Sequence, residues 1–267
     1  MDYTSGRSTT TTKRMTVTYK RKGAVAYITL ARADAMNAMS RDMYKAVNEA
    51  FMQLNEDDEA KVAIFSSSNP DAFCAGVDIN DIHKALTEEG LSLDDVAKQC
   101  NIFFEEPGHL HKPVIAAING HCVGEGMVMT LFCDIRIAAY DASFCLPEAK
   151  IGVPSINGTI RAVQVANHGA ALELLLTGEP RDADWARMAG FVNTVVPNDE
   201  LMPTAERMAK NIADNGEEAI RIMRQLGEKA LEENFADLVE EGRKLRDDMQ
   251  TSDMIDRQAA FVNRDKQ

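Results

Sequence analysis

The strongest constraint on the fold is an alternation between short apolar runs and longer stretches whose apolar residues recur at helical spacing. TVTYK (16–20), AVAYITL (24–30), VAIFSS (62–67), PVIAAIN (113–119), IRIAA (135–139) and FVNTVV (191–196) are short and rich in β-branched residues, as buried strands require. Lys22-Gly23 divides the first pair and predicts a hairpin. Ser40 can cap a helix over about 41–55, in which Met43, Ala46, Val47, Ala50, Phe51 and Leu54 share one face. Further helical patterns cover 92–106, 124–132, 158–177 and 182–189. Strands alternating with helices predict an α/β fold with covered sheet faces.

Beyond Pro197 the strand signal fades. Residues 199–265 are rich in Ala, Glu, Lys, Met and Leu, interrupted at Gly216 and Gly227. The apolar stripes of such a region need a partner, either the chain's own core or another subunit. The sequence therefore divides into a Ser/Thr-rich tail over 1–14, a core over 15–198 and a helical region over 199–267.

Composition narrows the function. The chain of 267 residues carries a net charge of −13, which disfavours general binding to nucleic acid or anionic membranes. No apolar run approaches the ~18–20 residues of a membrane span. The five cysteines are odd in number and form no C-x-x-C pair, so reduced thiols and a cytoplasmic location are expected. Arg7, Lys13 and Arg14 leave organelle import open. His109 and His111 lack metal-site spacing, and no metal is expected.

Three segments join small residues to the end of an expected strand. In DAFCAGVDI (71–79), Ala75-Gly76-Val77 allows a tight turn that exposes backbone N–H groups. In INGHCVGEGMVMTLFCDIRIA (118–138), Gly124-Glu125-Gly126 opens an apolar helix whose first N–H groups lack internal acceptors. In FCLPEAKIGVP (144–154), Glu148 follows Pro147 among apolar neighbours. Each feature alone is compatible with an ordinary turn, helix start or solvated acid; their order and spacing together are far more specific.

In that order the three segments resemble successive landmarks of the crotonase (enoyl-CoA hydratase/isomerase) family. LARADAMNAMS (30–40) is similar to the family's Arg-Pro-x-x-x-Asn-Ala-Leu segment, with Ala33 where Pro is usual, and LLLTGEPRDADWARMAGFVNTVVP (174–197) resembles a later passage. The resemblance runs from about Val17 to Ala260-Phe261. It implies a crotonase-like spiral of ββα units with a helical C-terminal region, self-association as trimers or hexamers, and a coenzyme A thioester as substrate with no separate cofactor. Carried over by position, the enolate-stabilising donors are the backbone N–H groups of Val77 and Glu125, supported by Ala75, Gly76 and Gly124, and the acid/base is Glu148.

The sequence departs from the two-glutamate pattern at Val128, which stands where the family's other glutamate lies and cannot transfer a proton. A single carboxyl at Glu148 is compatible with hydration, double-bond isomerisation or a lyase reaction on a substituted acyl-CoA. A non-catalytic relative that binds acyl-CoA or RNA is the alternative of a different kind. Glu125 stands where glycine is common. Its side chain either turns away, complementing the helix dipole, or replaces the missing carboxyl, and beside an enolate oxygen only a protonated or outward-turned Glu125 is compatible with catalysis. Arg32 is the first candidate for the nucleotide phosphates, with Phe261 and Arg264 or Lys266 as a second set. Asp78 and Asn80 are candidates for the pantetheine channel, and Ser155 and Asn157 for substrate or water contacts.

Overall fold

β1 (Val17–Lys22) and β2 (Val25–Leu30) form the expected antiparallel hairpin, turning at Gly23 with a φ of +60°. The computed structural model describes residues 15–106 and 108–231, together with Ala259, Val262 and Asn263. The tail over 1–14 and the candidates Phe261, Arg264 and Lys266 lie outside the described residues.

α1 (Arg41–Glu56) starts where Ser40 Oγ accepts from Met43 N–H, and it buries Met43, Tyr44, Val47, Ala50, Phe51 and Leu54. Then follow β3 (Val62–Ser67), β4 (Ala72–Cys74), α2 (Ile79–Thr87) and α3 (Leu93–Gln99). The next unit contains β5 (Val114–Ile118), β6 (His121–Val123) and α4 (Glu125–Leu131). After it come β7 (Ile135–Ala139), β8 (Ser143–Cys145), α5 (Ile156–Val165) and α6 (His168–Thr177). β9 (Arg181–Asp182), α7 (Ala183–Ala189), β10 (Thr194–Val196), α8 (Leu201–Asp214) and α9 (Glu217–Leu231) complete the described chain.

The larger sheet has the order β1-β2-β3-β5-β7-β10, parallel beyond the hairpin; the smaller has the order β4-β6-β8-β9. Each of β3, β5 and β7 is followed by a short strand of the smaller sheet and then by helix, so successive ββα units stack side by side. Strand alternation splits the core in two. Ala63, Phe65, Val114, Ala116 and Ile118 face the α1 side. Val62, Ile64, Ile115, Ala117, Ile137 and Ala139 face α8, whose Leu201, Ala205 and Ala209 cover them. The apolar stripe of α8 therefore finds its partner in the chain's own sheet.

Three expected elements are shorter or broken, for local reasons. The helix over 92–106 ends at Gln99, because the Asn48 side chain on α1 donates to Asn101 C=O and accepts from Phe103 N–H, drawing that backbone out of the helix. The helix over 158–177 breaks at extended Ala166, and Asn167 caps a new helix by accepting from Gly169 and Ala170 N–H. The strand over 191–196 begins only at Thr194, since Phe191 and Val192 bond back to Ala186 C=O in the cap of α7. α2 and the three-residue strands of the smaller sheet are elements the sequence pattern did not reveal. All five cysteines are free, and among the described residues no helix is long and apolar enough to cross a membrane.

Candidate active site

The three segments singled out in the sequence occupy the same place in three successive units. Ala75-Gly76-Val77 follows β4, Gly124-Glu125 follows β6, and Leu146-Pro147-Glu148 follows β8. Parallel pairing of β4 with β6 and of β6 with β8 sets these three strand ends side by side. Gly124 N–H donates to Cys145 C=O at 2.8 Å, carrying the ladder a residue further.

Two glycines permit the closest approach. Gly76 has a φ of +92°, and a Cβ on it would stand 3.1 Å from Val123 O; Gly124 has a φ of +52°, and a Cβ on it would stand 3.2 Å from Glu148 Oε1 and 3.6 Å from Gly76 Cα. These backbone angles favour glycine, and the absent side chains bring both turns and the Glu148 carboxylate together.

The residues around the two expected donors are tied down while the donors themselves are left over. Ala75 N–H donates to Met36 C=O, Met39 N–H to Gly76 C=O at 2.7 Å, and Asp78 N–H to Met39 C=O. Neither Val77 N–H nor Glu125 N–H donates to an acceptor among the described residues. For Glu125 this follows from its place at the first position of α4. Buried Asn37, at a φ of +56°, anchors the turn behind Val77. Its Nδ2 donates to Ser67 Oγ and Phe73 C=O, and its Oδ1 accepts from Arg32 N–H.

Val77, Glu125, Val128 and Glu148 line a cavity of about 560 Å³, together with Glu105, the Cys100–Ile102 stretch and the Val153–Gly158 stretch. Burial pushes the Glu148 carboxyl up to about 7, and its Oε2 has no hydrogen-bond partner. A proton-transfer group with such a value is poised to work near neutrality. Val128 forms apolar wall, close enough to Gly158 that a Cβ there would meet Val128 Cγ2 at 2.9 Å.

Glu125 does not turn away: its side chain faces the cavity, within hydrogen-bonding reach of the Glu105 carboxyl. Burial, then the charges of Glu105 and Glu148, raise the Glu125 carboxyl well above the usual range. Glu105, only 4% exposed, accepts from Asn157 Nδ2 at 2.8 Å through Oε2, while Oε1 has no donor. Burial raises it as well, opposed by the Asn157 bond. Sequence reasoning missed Glu105, since Glu105-Glu106-Pro107 reads as a solvated acidic pair; its only signal is the apolar Ile102-Phe103-Phe104 just before it.

The remaining candidates fall into two groups. Ser155 and Asn157 line the cavity. Arg32, Asp78 and Asn80 lie outside its lining. Arg32 Nη1 donates to Ala38 C=O and to Asp78 Oδ2 at 2.8 Å, and Asp78 Oδ1 accepts from Asp81 N–H to cap α2. Their observed contacts are thus structural ones to each other and to the turn.

Two unengaged backbone N–H groups and a carboxyl raised by burial thus line one cavity. Comparison with known proteins gives the family. A family model described as enoyl-CoA hydratase/isomerase matches residues 20–266. A short-chain-enoyl-CoA hydratase of Clostridium acetobutylicum is 32% identical over 252 residues, covering 94% of this chain and 95% of that protein. A crotonyl-CoA hydratase of Syntrophomonas wolfei is 32% identical over 212 residues, covering 79% and 80%. The crystal structure of a carnitinyl-CoA hydratase from Mycobacterium avium superposes with a TM-score of 0.81 at 28% identity, covering 94% of this chain and 96% of that one. The chain belongs to the enoyl-CoA hydratase/isomerase family. It is an enzyme of that type with the crotonase fold.

Proposed function

We propose that this protein adds water across the double bond of a 2-enoyl-CoA thioester, with Glu148 as the acid/base. The observation that carries the reading is the meeting of Glu148 with the unengaged N–H groups of Val77 and Glu125 at three adjacent strand ends. The thioester oxygen accepts from both N–H groups. As the water oxygen bonds to Cβ, Glu148 takes a proton from the water, and the π electrons pass through the enolate to that oxygen. Glu148 then delivers the proton to Cα, so the net change is addition of one water. Loss of either backbone donor withdraws about 3–4 kcal/mol of transition-state stabilisation.

Arg32, and Phe261 with Arg264 or Lys266, are the candidates for the nucleotide end of coenzyme A. In the same reading the region 199–267 contributes to self-association as trimers or hexamers. Leu176 and Met188, 74% and 73% exposed, support an additional apolar interface. Sedimentation of the full chain tests it.

The catalytic test incubates the protein and Glu148→Gln with 2-enoyl-CoA and 3-enoyl-CoA, with mass-resolved detection of products. Products heavier by one water, lost in the variant, are expected. Equal-mass products with shifted retention would replace hydration by double-bond isomerisation, the reading that the apolar Val128 favours. No change with either substrate would overturn both.

A further inference from the structure

The cavity holds more acid than a single-glutamate mechanism uses. Glu105 is buried with Oε1 unpartnered, and the cavity-facing Glu125 carboxyl lies within hydrogen-bonding reach of it. Two carboxylates in contact in a buried site cannot both be ionised. Asn157 Nδ2 donates to Glu105, favouring charge on that member of the pair.

We infer that Glu105 and Glu125 share a proton that resides on Glu125, and that the neutral Glu125 carboxyl orients the attacking water opposite Glu148. Glu105 is then a positioning residue: it acts by keeping the proton on Glu125. A hydroxyl on Glu125 gives the unpartnered Glu105 oxygen a donor. It also removes the electrostatic conflict of a carboxylate on the same residue whose N–H stabilises the enolate oxygen. The second carboxyl that Val128 eliminates is thereby supplied from the start of the same helix. The inference rests on the hydration reading.

Other groups facing the pair leave this arrangement intact. Tyr44 on α1, Cys74 on β4 and Cys100 after α3 are all raised by burial and stay neutral. Glu148 faces it as a further acid. Among the described residues the one cation in the lining is Lys98, 71% exposed and paired with Asp94 at 2.6 Å.

The test follows hydration of 2-enoyl-CoA against pH in wild type, Glu105→Gln, Glu105→Asp and Glu125→Gln. Exchange of the Cα hydrogens of a saturated acyl-CoA with solvent deuterium, which needs only Glu148 and the backbone donors, is read in parallel. Wild-type kcat/KM rises as Glu148 ionises and falls at higher pH as Glu125 loses its proton. Glu105→Gln removes the neighbouring charge, so the falling limb moves to lower pH by about one unit or more. Glu105→Asp restores its position. Glu125→Gln has no falling limb, and hydration drops about 10–100-fold, more than exchange does.

A falling limb unmoved in Glu105→Gln, or a Glu125→Gln profile matching wild type, overturns the inference. Wild type with neither hydration nor exchange overturns the functional reading instead. In that case infrared difference spectroscopy still reads the proton. A protonated-carboxyl band in wild type at pH ~9, where Glu148 is ionised, lost in Glu125→Gln, is expected; its absence from wild type overturns the inference.

Discussion

Gly124 and Glu148 are fitted to each other: a Cβ on the glycine would stand 3.2 Å from Glu148 Oε1, and the glycine's φ of +52° is one that side chains resist. Gly124→Ala therefore strains the backbone by about 1–3 kcal/mol. It also displaces the carboxylate. We expect a small loss of thermal stability and a fall in kcat/KM for hydration of about 100-fold, as misplacement of a catalytic group produces. Steady-state kinetics and a melting curve on the same preparation check both.

Stability should fall as pH rises through neutrality. The Glu148 carboxyl is pushed from 4.5 to about 7 in the folded chain, so the folded state binds this proton more tightly than the unfolded one. Its stabilising contribution is complete below 4.5 and is lost as pH climbs through about 7. The proton held between Glu105 and Glu125, both raised by burial, adds in the same direction. Glu148→Gln has no proton to lose, and we expect it to be more stable than wild type by about 2 kcal/mol at pH ~8. Urea titrations at acid and alkaline pH measure this.

Restoring a glutamate at position 128 should harm the wild-type enzyme. The Val128 side chain is 2% exposed and sits against Gly158, leaving little room for another carboxyl beside Glu125 and Glu148. Val128→Glu is expected to destabilise by about 2–4 kcal/mol and to lower hydration. The double variant Val128→Glu/Glu125→Gly relieves the crowding, and hydration should return to within about tenfold of wild type because neighbouring sites couple. A double-mutant cycle in kcat/KM and in unfolding free energy reads the coupling.

Asn37 supports the Val77 donor through three hydrogen bonds from a buried side chain. Asn37→Ala leaves buried groups unpaired in a left-handed turn and should destabilise by about 2–4 kcal/mol. kcat should fall as well, because the same turn accepts from Ala75 N–H beside the oxyanion segment. Urea unfolding and kcat from the soluble fraction separate the two effects.

What the sequence disclosed depended on how many residues carried each signal. β3 and β7 match their expected limits because runs of five or six residues with β-branched or aromatic members, free of Gly and Pro, leave little ambiguity. β4, β6 and β8 have only three residues each, too few for a period, although each leads into a candidate site segment. Asp78 drew notice as a pocket residue, yet its side chain caps α2, a helix that begins at the very next residue. The turns bearing Val77 and Glu125 were legible because glycines stand at their strand ends. Glu105 was not, since its burial depends on Asn48 and Asn157, more than fifty residues away along the chain.

Stacking the catalytic segments at three neighbouring strand ends divides the enzyme's labour along the chain's chemistry. The electrophilic half is written in amide geometry, which side-chain mutation barely edits. The proton-handling half is written in side chains, which can be exchanged or shifted by one helical turn without disturbing the amides. On the proposed roles, exchanging a side chain at position 125 or 128 alters proton handling while both amide donors stay in place.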